Sequence, residues 1–169
     1  IKKAGQVLKD DKPANMILLR GFAKKPGLPQ FPDIYKLKPL AIAVYPMYKG
    51  LAHLAGMKVL DGLTTIDEQI QALKKNWNDY TFFFIHYKYT DSTGEDGNFY
   101  EKIKKIEIVD KFIPEILKLN PDCLIVTGDH STPAALKTHS WHGVPILLYS
   151  KYARRDKSTK FSESECAKG

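Results

Sequence analysis

Asp129 and His130 stand side by side just after the apolar run Cys123-Leu124-Ile125-Val126, within Thr127-Gly128-Asp129-His130-Ser131-Thr132-Pro133. A carboxylate beside an imidazole suits a divalent ion such as Zn or Mn. One pair does not make a site, so partners must come from elsewhere in the chain. Asp91, Glu95 and Asp96 follow the apolar run that ends at His86, and His139 and His142 precede Val144. Each has a plain structural alternative: Asp91 as a turn former, Asp129 as a helix cap, His139 as a surface loop histidine. Carboxylates and imidazoles delivered from three segments to one rim would be the raw material of a metal site.

Such convergence needs strands whose carboxyl ends share an edge, where open α/β sheets bind their ligands. Residues 40–45 read as a buried strand, residues 47–55 as a short helix stopped by Gly56, and residues 58–60 as a second short strand. Thr65 three residues before Glu68 is a capping-box start to a helix that runs to about Trp77. Residues 80–86 form a third apolar strand, and the polar residues 91–98 read as a loop. Phe99, Ile103, Ile106, Val109, Ile113, Ile116 and Leu117 then recur every three or four positions, one apolar face of a long helix. Cys123 to Val126 and residues 144–149 are two further strands, with Cys123 expected in the core. Strands alternating with helices predict a three-layer α/β/α domain with a mostly parallel sheet covered on both faces. Residues 1–38, rich in Pro, Gly and Lys, read as an arm or linker, and residues 39–169 as the domain.

At 169 residues the chain is long enough for one ordinary core, with 43% hydrophobic and 27% charged residues. No apolar run approaches the roughly 20 residues that span a bilayer, so no membrane association is expected. The amino terminus has no apolar stretch of the signal-peptide kind. The formal net charge of +7 comes from dispersed lysines, which read as a solvated surface with some attraction for small phosphorylated anions. No nucleic-acid motif accompanies that charge, and nucleic acid is not expected as a partner. The two cysteines, Cys123 and Cys166, do not make a disulfide framework.

Three runs, Thr90-Asp91-Ser92-Thr93-Gly94-Glu95-Asp96-Gly97, Thr127-Gly128-Asp129-His130-Ser131-Thr132-Pro133 and His139-Ser140-Trp141-His142-Gly143-Val144-Pro145, occur in that order. Together they resemble the archaeal-type cofactor-independent phosphoglycerate mutases, within the alkaline phosphatase-like metalloenzyme superfamily. Ala14-Asn15-Met16-Ile17-Leu18-Leu19-Arg20-Gly21 and Lys49-Gly50-Leu51-Ala52 look like family segments too. The resemblance implies an alkaline phosphatase-like fold, a cytoplasmic enzyme of glycolysis and gluconeogenesis, and two divalent metal ions, Mn or Mg, with Zn possible. It implies interconversion of 3-phosphoglycerate and 2-phosphoglycerate through a phosphoserine.

Residue by residue, Asp129 and His130 match ligands of the metal that activates the serine, and Asp91 and His139 match ligands of the other. Arg20 and Lys49 match positions that neutralise phosphate. Glu95 stands where the family carries a ligand histidine; a carboxylate can replace imidazole on Mn or Mg. The family's opening Asp-Gly strand and its nucleophilic serine have no match here. The chain therefore reads as an incomplete, carboxyl-terminal half of the domain, inactive alone and expecting the missing amino-terminal part as its partner. Another phosphatase-like metalloenzyme (a phosphatase or phosphonate hydrolase) and a noncatalytic homologue are the alternative readings. His53 and His142 read as structural or loop histidines, and His86 as either buried or supporting the site.

Overall fold

A computed structural model describes residues 1–19, 21–24 and 26–168. Its centre is β1 (Pro39–Ala43), every residue of which is buried. β1 lies between β2 (Lys58–Val59) and β3 (Phe82–His86), parallel to both, in the order β2-β1-β3. A strand flanked by parallel neighbours and covered on its faces reads as the continuous apolar run Leu40-Ala41-Ile42-Ala43, and this is the reason. Leu40, Ile42 and Leu73 form the buried core, with Leu60, Trp77, Phe83, Ile85, Ile116 and Leu119 packed around it.

Two helices make the connections within this sheet. α3 (Pro46–Leu54) joins β1 to β2, with Pro46 in its first turn, where a missing N–H costs nothing. α4 (Ile66–Asn76) joins β2 to β3 and begins with the capping box expected from Thr65 and Glu68. The exposed Glu68 carboxylate accepts from Thr64 and Thr65, and these hydrogen bonds hold it below its ordinary range. α4 also buries Gln69, whose Nε2 donates at 2.9 Å to the carbonyls of both Ile42 and His86. Gln69 thus clips the carboxyl ends of β1 and β3 together at the rim the sequence singles out.

Beyond β3 the structure departs from expectation in four places. Residues 91–98, read as a loop, contain most of helix α5 (Tyr89–Glu95). Asp, Ser, Thr and Gly are indifferent or poor helix formers, so local propensity hides it. Tertiary contacts supply the order: Lys102 Nζ donates to the Thr90 carbonyl at 2.8 Å. The helix also packs so closely at Gly94 that a Cβ there would collide with the Thr132 carbonyl.

β4 (Cys123–Val126) and β5 (Leu147–Ser150) pair antiparallel with each other in a separate two-stranded sheet, not as members of one parallel sheet. Cys123 is exposed, not a core residue, because β4 and β5 have no buried face. The fifth strand also starts three residues later than read, at Leu147.

The long helix α6 (Phe99–Leu117) forms as its periodicity requires, yet buries no residue completely. Its amino-terminal half leaves Phe99, Ile103 and Ile106 exposed, while Ile116 reaches the core. Residues 1–38 carry two short helices, α1 (Lys2–Val7) and α2 (Phe31–Tyr35), and the chain finishes with α7 (Glu163–Cys166). Among the described residues no helix is long and apolar enough to cross a membrane.

Candidate metal centre

Two loops and one helix build the site. β3 ends at His86, and the chain turns into α5, whose first turn carries Asp91 and whose last residue is Glu95. Four residues apart on one helix, these two carboxylates face the same side. β4 ends at Val126 and delivers Asp129 and His130 three and four residues later. The segment after it doubles back through an antiparallel bridge between Ser131 and Ser140, closed by Ser140 N–H donating to the Ser131 carbonyl at 3.0 Å. This return brings the His130 and His139 rings to a centroid separation of 3.8 Å.

Asp91, His130 and His139 each place one ligand atom within 4.8 Å of the others. Asp91 Oδ1 lies 3.8 Å from His130 Nδ1 and 3.9 Å from His139 Nε2. Glu95 Oε1 is 3.6 Å from His139 Nε2, and Asp129 Oδ2 is 3.6 Å from His130 Nε2. All five metal candidates from the sequence therefore meet at one rim. Their grouping differs from two separate pairs: His130 belongs with Asp91 and His139, with Glu95 and Asp129 flanking that triad.

Three further side chains hold the carboxylates in place, and sequence reasoning missed all three. Thr132 Oγ1 donates to Asp91 Oδ1 and sits 3.0 Å from His130 Nδ1, so one hydroxyl ties two ligand candidates together. Lys88 Nζ donates to Asp91 Oδ2 and lies 4.0 Å from Glu95. Tyr48, on α3, donates its hydroxyl to Asp129 Oδ2. Only Lys88 left a trace in the sequence, its position three residues before Asp91; Tyr48 and Thr132 reach their carboxylates across 81 and 41 residues.

These contacts set the ionisation of the site. Burial disfavours the charged form of Asp91, but hydrogen bonds from Lys88 and Thr132 outweigh it and hold the carboxyl below its ordinary range. Asp129 follows the same pattern, burial being outweighed by the Tyr48 hydroxyl and its own backbone bond. Burial, followed by the bond to Asp129, pushes the Tyr48 phenol far up, so it stays a donor. Burial also raises the cost of charging His86 and keeps its value down; its Nδ1 has no hydrogen-bond partner. Both carboxylates are thus ready to bind a cation at neutral pH.

Lys49 and Arg20 fare differently. Lys49 Nζ pairs with Asp61 at 3.4 Å, and no described contact joins it to the triad. Arg20 lies outside the described residues. His142 accompanies the exposed Trp141, its ring stacked on the indole and its Nδ1 2.7 Å from Ser140 Oγ.

The donor set fits a divalent metal. One carboxylate and two imidazoles within reach of a single point are a ligand number typical of catalytic metal sites, which keep a position open. Three carboxylates outnumber the two ammonium groups described near them, Lys88 paired with Asp91 and Lys102 held on the Thr90 carbonyl, and this balance favours a divalent cation.

Residues 3–169 match the Metalloenzyme superfamily model. The chain belongs to the Metalloenzyme superfamily. Among the members it resembles are curated proteins of Thermotoga maritima and of Thermotoga sp. strain RQ2. Each is named a probable 2,3-bisphosphoglycerate-independent phosphoglycerate mutase, and each is 58% identical over 169 residues. A protein of the same name from Thermus thermophilus is 52% identical over 168 residues. The superfamily chain covers only 42% of the length of the Thermotoga proteins and 41% of the Thermus protein.

In three dimensions it superposes on a solved Pyrococcus horikoshii protein with a TM-score of 0.86 at 32% identity, covering all of this chain and 50% of that one. The cofactor-independent phosphoglycerate mutase of Thermoplasma acidophilum superposes at 0.68 with 23% identity over 99% of this chain and 45% of that one; it shares the fold.

Proposed function

We propose that this chain is part of a metal-dependent phosphoglycerate mutase that interconverts 3-phosphoglycerate and 2-phosphoglycerate through a phosphoserine. The observation that carries the reading is the 58% identity, over all 169 residues, to proteins named as such mutases. Asp91, His130 and His139, with Asp129 and Glu95 beside them, would hold two divalent ions, Mn or Mg by preference for oxygen donors and Zn as a third candidate. When bound, such ions neutralise charge on a transferring phosphoryl group and lower the pKa of an attacking hydroxyl.

The chain's own residues do the preparatory work. Thr132 orients Asp91, Lys88 is the counter-charge that a metal ion would displace from it, and the hydrogen bond between Thr132 and His130 restrains the imidazole. Arg20 and Lys49 are assigned to the substrate's phosphate, which requires Lys49 to leave Asp61. The serine is assigned to a part of the protein outside these residues, as is the partner half of the domain. The expected setting is the cytoplasm, in glycolysis and gluconeogenesis.

A coupled assay on the full-length protein tests the reading. With 3-phosphoglycerate and Mn, 2-phosphoglycerate should form, and Asp129→Ala should abolish it. Release of free phosphate instead of 2-phosphoglycerate would point to a phosphatase on the same scaffold. Failure to form either product would overturn an enzymatic role.

A further inference from the structure

Tyr48 sits on α3, far along the chain from the loops that carry the ligand candidates, yet it reaches into the cluster. Its ring stacks on His86 with centroids 3.6 Å apart and an interplanar angle of 22°, and the rings of Tyr45 and Phe84 lie 6.2 and 6.5 Å away. An aromatic ring enclosed in this way has little freedom, so its hydroxyl is delivered at a fixed point. That point is Asp129 Oδ2, while Asp129 Oδ1 accepts from the His130 backbone N–H at 3.1 Å. Both oxygens of the carboxylate are therefore engaged, and its rotation about the side-chain bond is arrested.

The bond matters because of what it joins. The loop carrying Asp129 follows β4, which belongs to a sheet separate from the β2-β1-β3 sheet. β3, which carries His86, belongs to that parallel sheet, and α3, which carries Tyr48, connects its strands β1 and β2. Without a tether, the Asp129 carboxylate would be set by an exposed loop alone. Partners that orient a ligand are typically worth about 10–100-fold in metal affinity.

We propose that Tyr48 is a positioning residue for the metal centre: its hydroxyl, anchored by the His86 stack, orients the Asp129 carboxylate for a divalent cation. The inference rests on the proposed role of Asp129 as a ligand. It adds a residue of α3 to a site otherwise built from α5 and the loops after β4.

Titration calorimetry with MnCl2 on the purified protein tests it, with Tyr48→Phe, Asp129→Asn and the double variant. Tyr48→Phe retains the ring and removes only the donor. Mn affinity should fall roughly tenfold, while the metal-free melting temperature and the far-ultraviolet circular dichroism stay those of the parent. The double variant should bind no more weakly than Asp129→Asn alone, since the hydroxyl acts through that carboxylate.

Unchanged or tighter Mn binding in Tyr48→Phe, with Asp129→Asn impaired, would overturn the positioning role and leave Asp129 as a ligand. Parent-like binding in Asp129→Asn would overturn the ligand role itself, and the proposal with it. If Tyr48→Phe is also less stable, the rise in melting temperature on adding Mn, read against each variant's own metal-free value, gives the same comparison. An equal rise in variant and parent would overturn the proposal.

Discussion

Asp91 carries more of the site than any other residue. It accepts from Lys88 on one oxygen and from Thr132 on the other, and it lies within 4 Å of both triad imidazoles. Lys88 is the counter-charge already in place, shared between Asp91 and Glu95 and seated over the Tyr45 ring at 5.1 Å. Burial opposes its charge, but the bond to Asp91 outweighs that and holds its ammonium above the ordinary lysine range. An ammonium in this position neutralises charge that a divalent ion would otherwise attract. Lys88→Met should therefore tighten Mn binding by about 10-fold or less, a modest electrostatic gain of ~1 kcal/mol for a partly solvated pair. Mn titration at low ionic strength checks this, and weaker binding would show that Lys88 supports the metal site instead of competing with it.

At the scale of elements, the site depends on how closely α5 approaches the loop after β4. Gly94 makes that approach possible: it is buried in α5 against the Thr132 backbone, and any side chain there must push the two apart. The same approach lets Thr132 bond to Asp91. Gly94→Ala should thus cost about 1–3 kcal/mol in stability despite the better helix propensity of alanine, and should weaken Mn binding as well. Urea unfolding and Mn titration on the same variant measure both. A stabilised variant with intact Mn binding would mean that the loop yields freely.

The elements also show what the sequence made legible. The capping box at Thr65 and Glu68, the all-buried β1 and the periodic α6 follow from local chemistry and form where that chemistry places them. α5 was illegible because several of its residues are indifferent or poor helix formers, and contacts from distant residues, such as the packing of Gly94 and the bond from Lys102, support it as a helix. Asp91, Glu95, Asp129, His130 and His139 could be picked out by residue type and by their places after strands. Tyr48 and Thr132 could not, since a tyrosine or threonine becomes significant only through what lies opposite it.

For the whole molecule, the accessible surface is the telling quantity. The chain exposes 12827 Å². A folded monomer of 19.2 kDa would expose roughly 8,400 Å² by the usual scaling of surface with mass. The surplus includes Ile125, Leu148 and Tyr149 of the β4–β5 sheet, all more than half exposed, and Ile106 of α6. Clustered exposed apolar side chains of this kind mark surfaces that another part of a protein covers. The Thermotoga relatives are more than twice as long as this chain, which covers 42% of them, so the proposed occupant is the remainder of such a protein. This chain expressed alone should bind an apolar fluorescent dye, and co-expression with the remaining portion of a Thermotoga relative should suppress that signal and yield a stable complex. Dye binding that is negligible in the isolated chain would contradict the assignment.

Residue order alone established the alternation of strands and helices, the caps, and the cluster of carboxylates and imidazoles, because these depend on periodicity and on chemistry within a few residues. It could not establish that β4 and β5 leave the parallel sheet, that Cys123 faces outward, or that His130 joins Asp91 and His139. Those outcomes depend on which surfaces meet across tens of residues. The close contact at Gly94, the return at Ser131 and Ser140, and the reach of Tyr48 to Asp129 decide them.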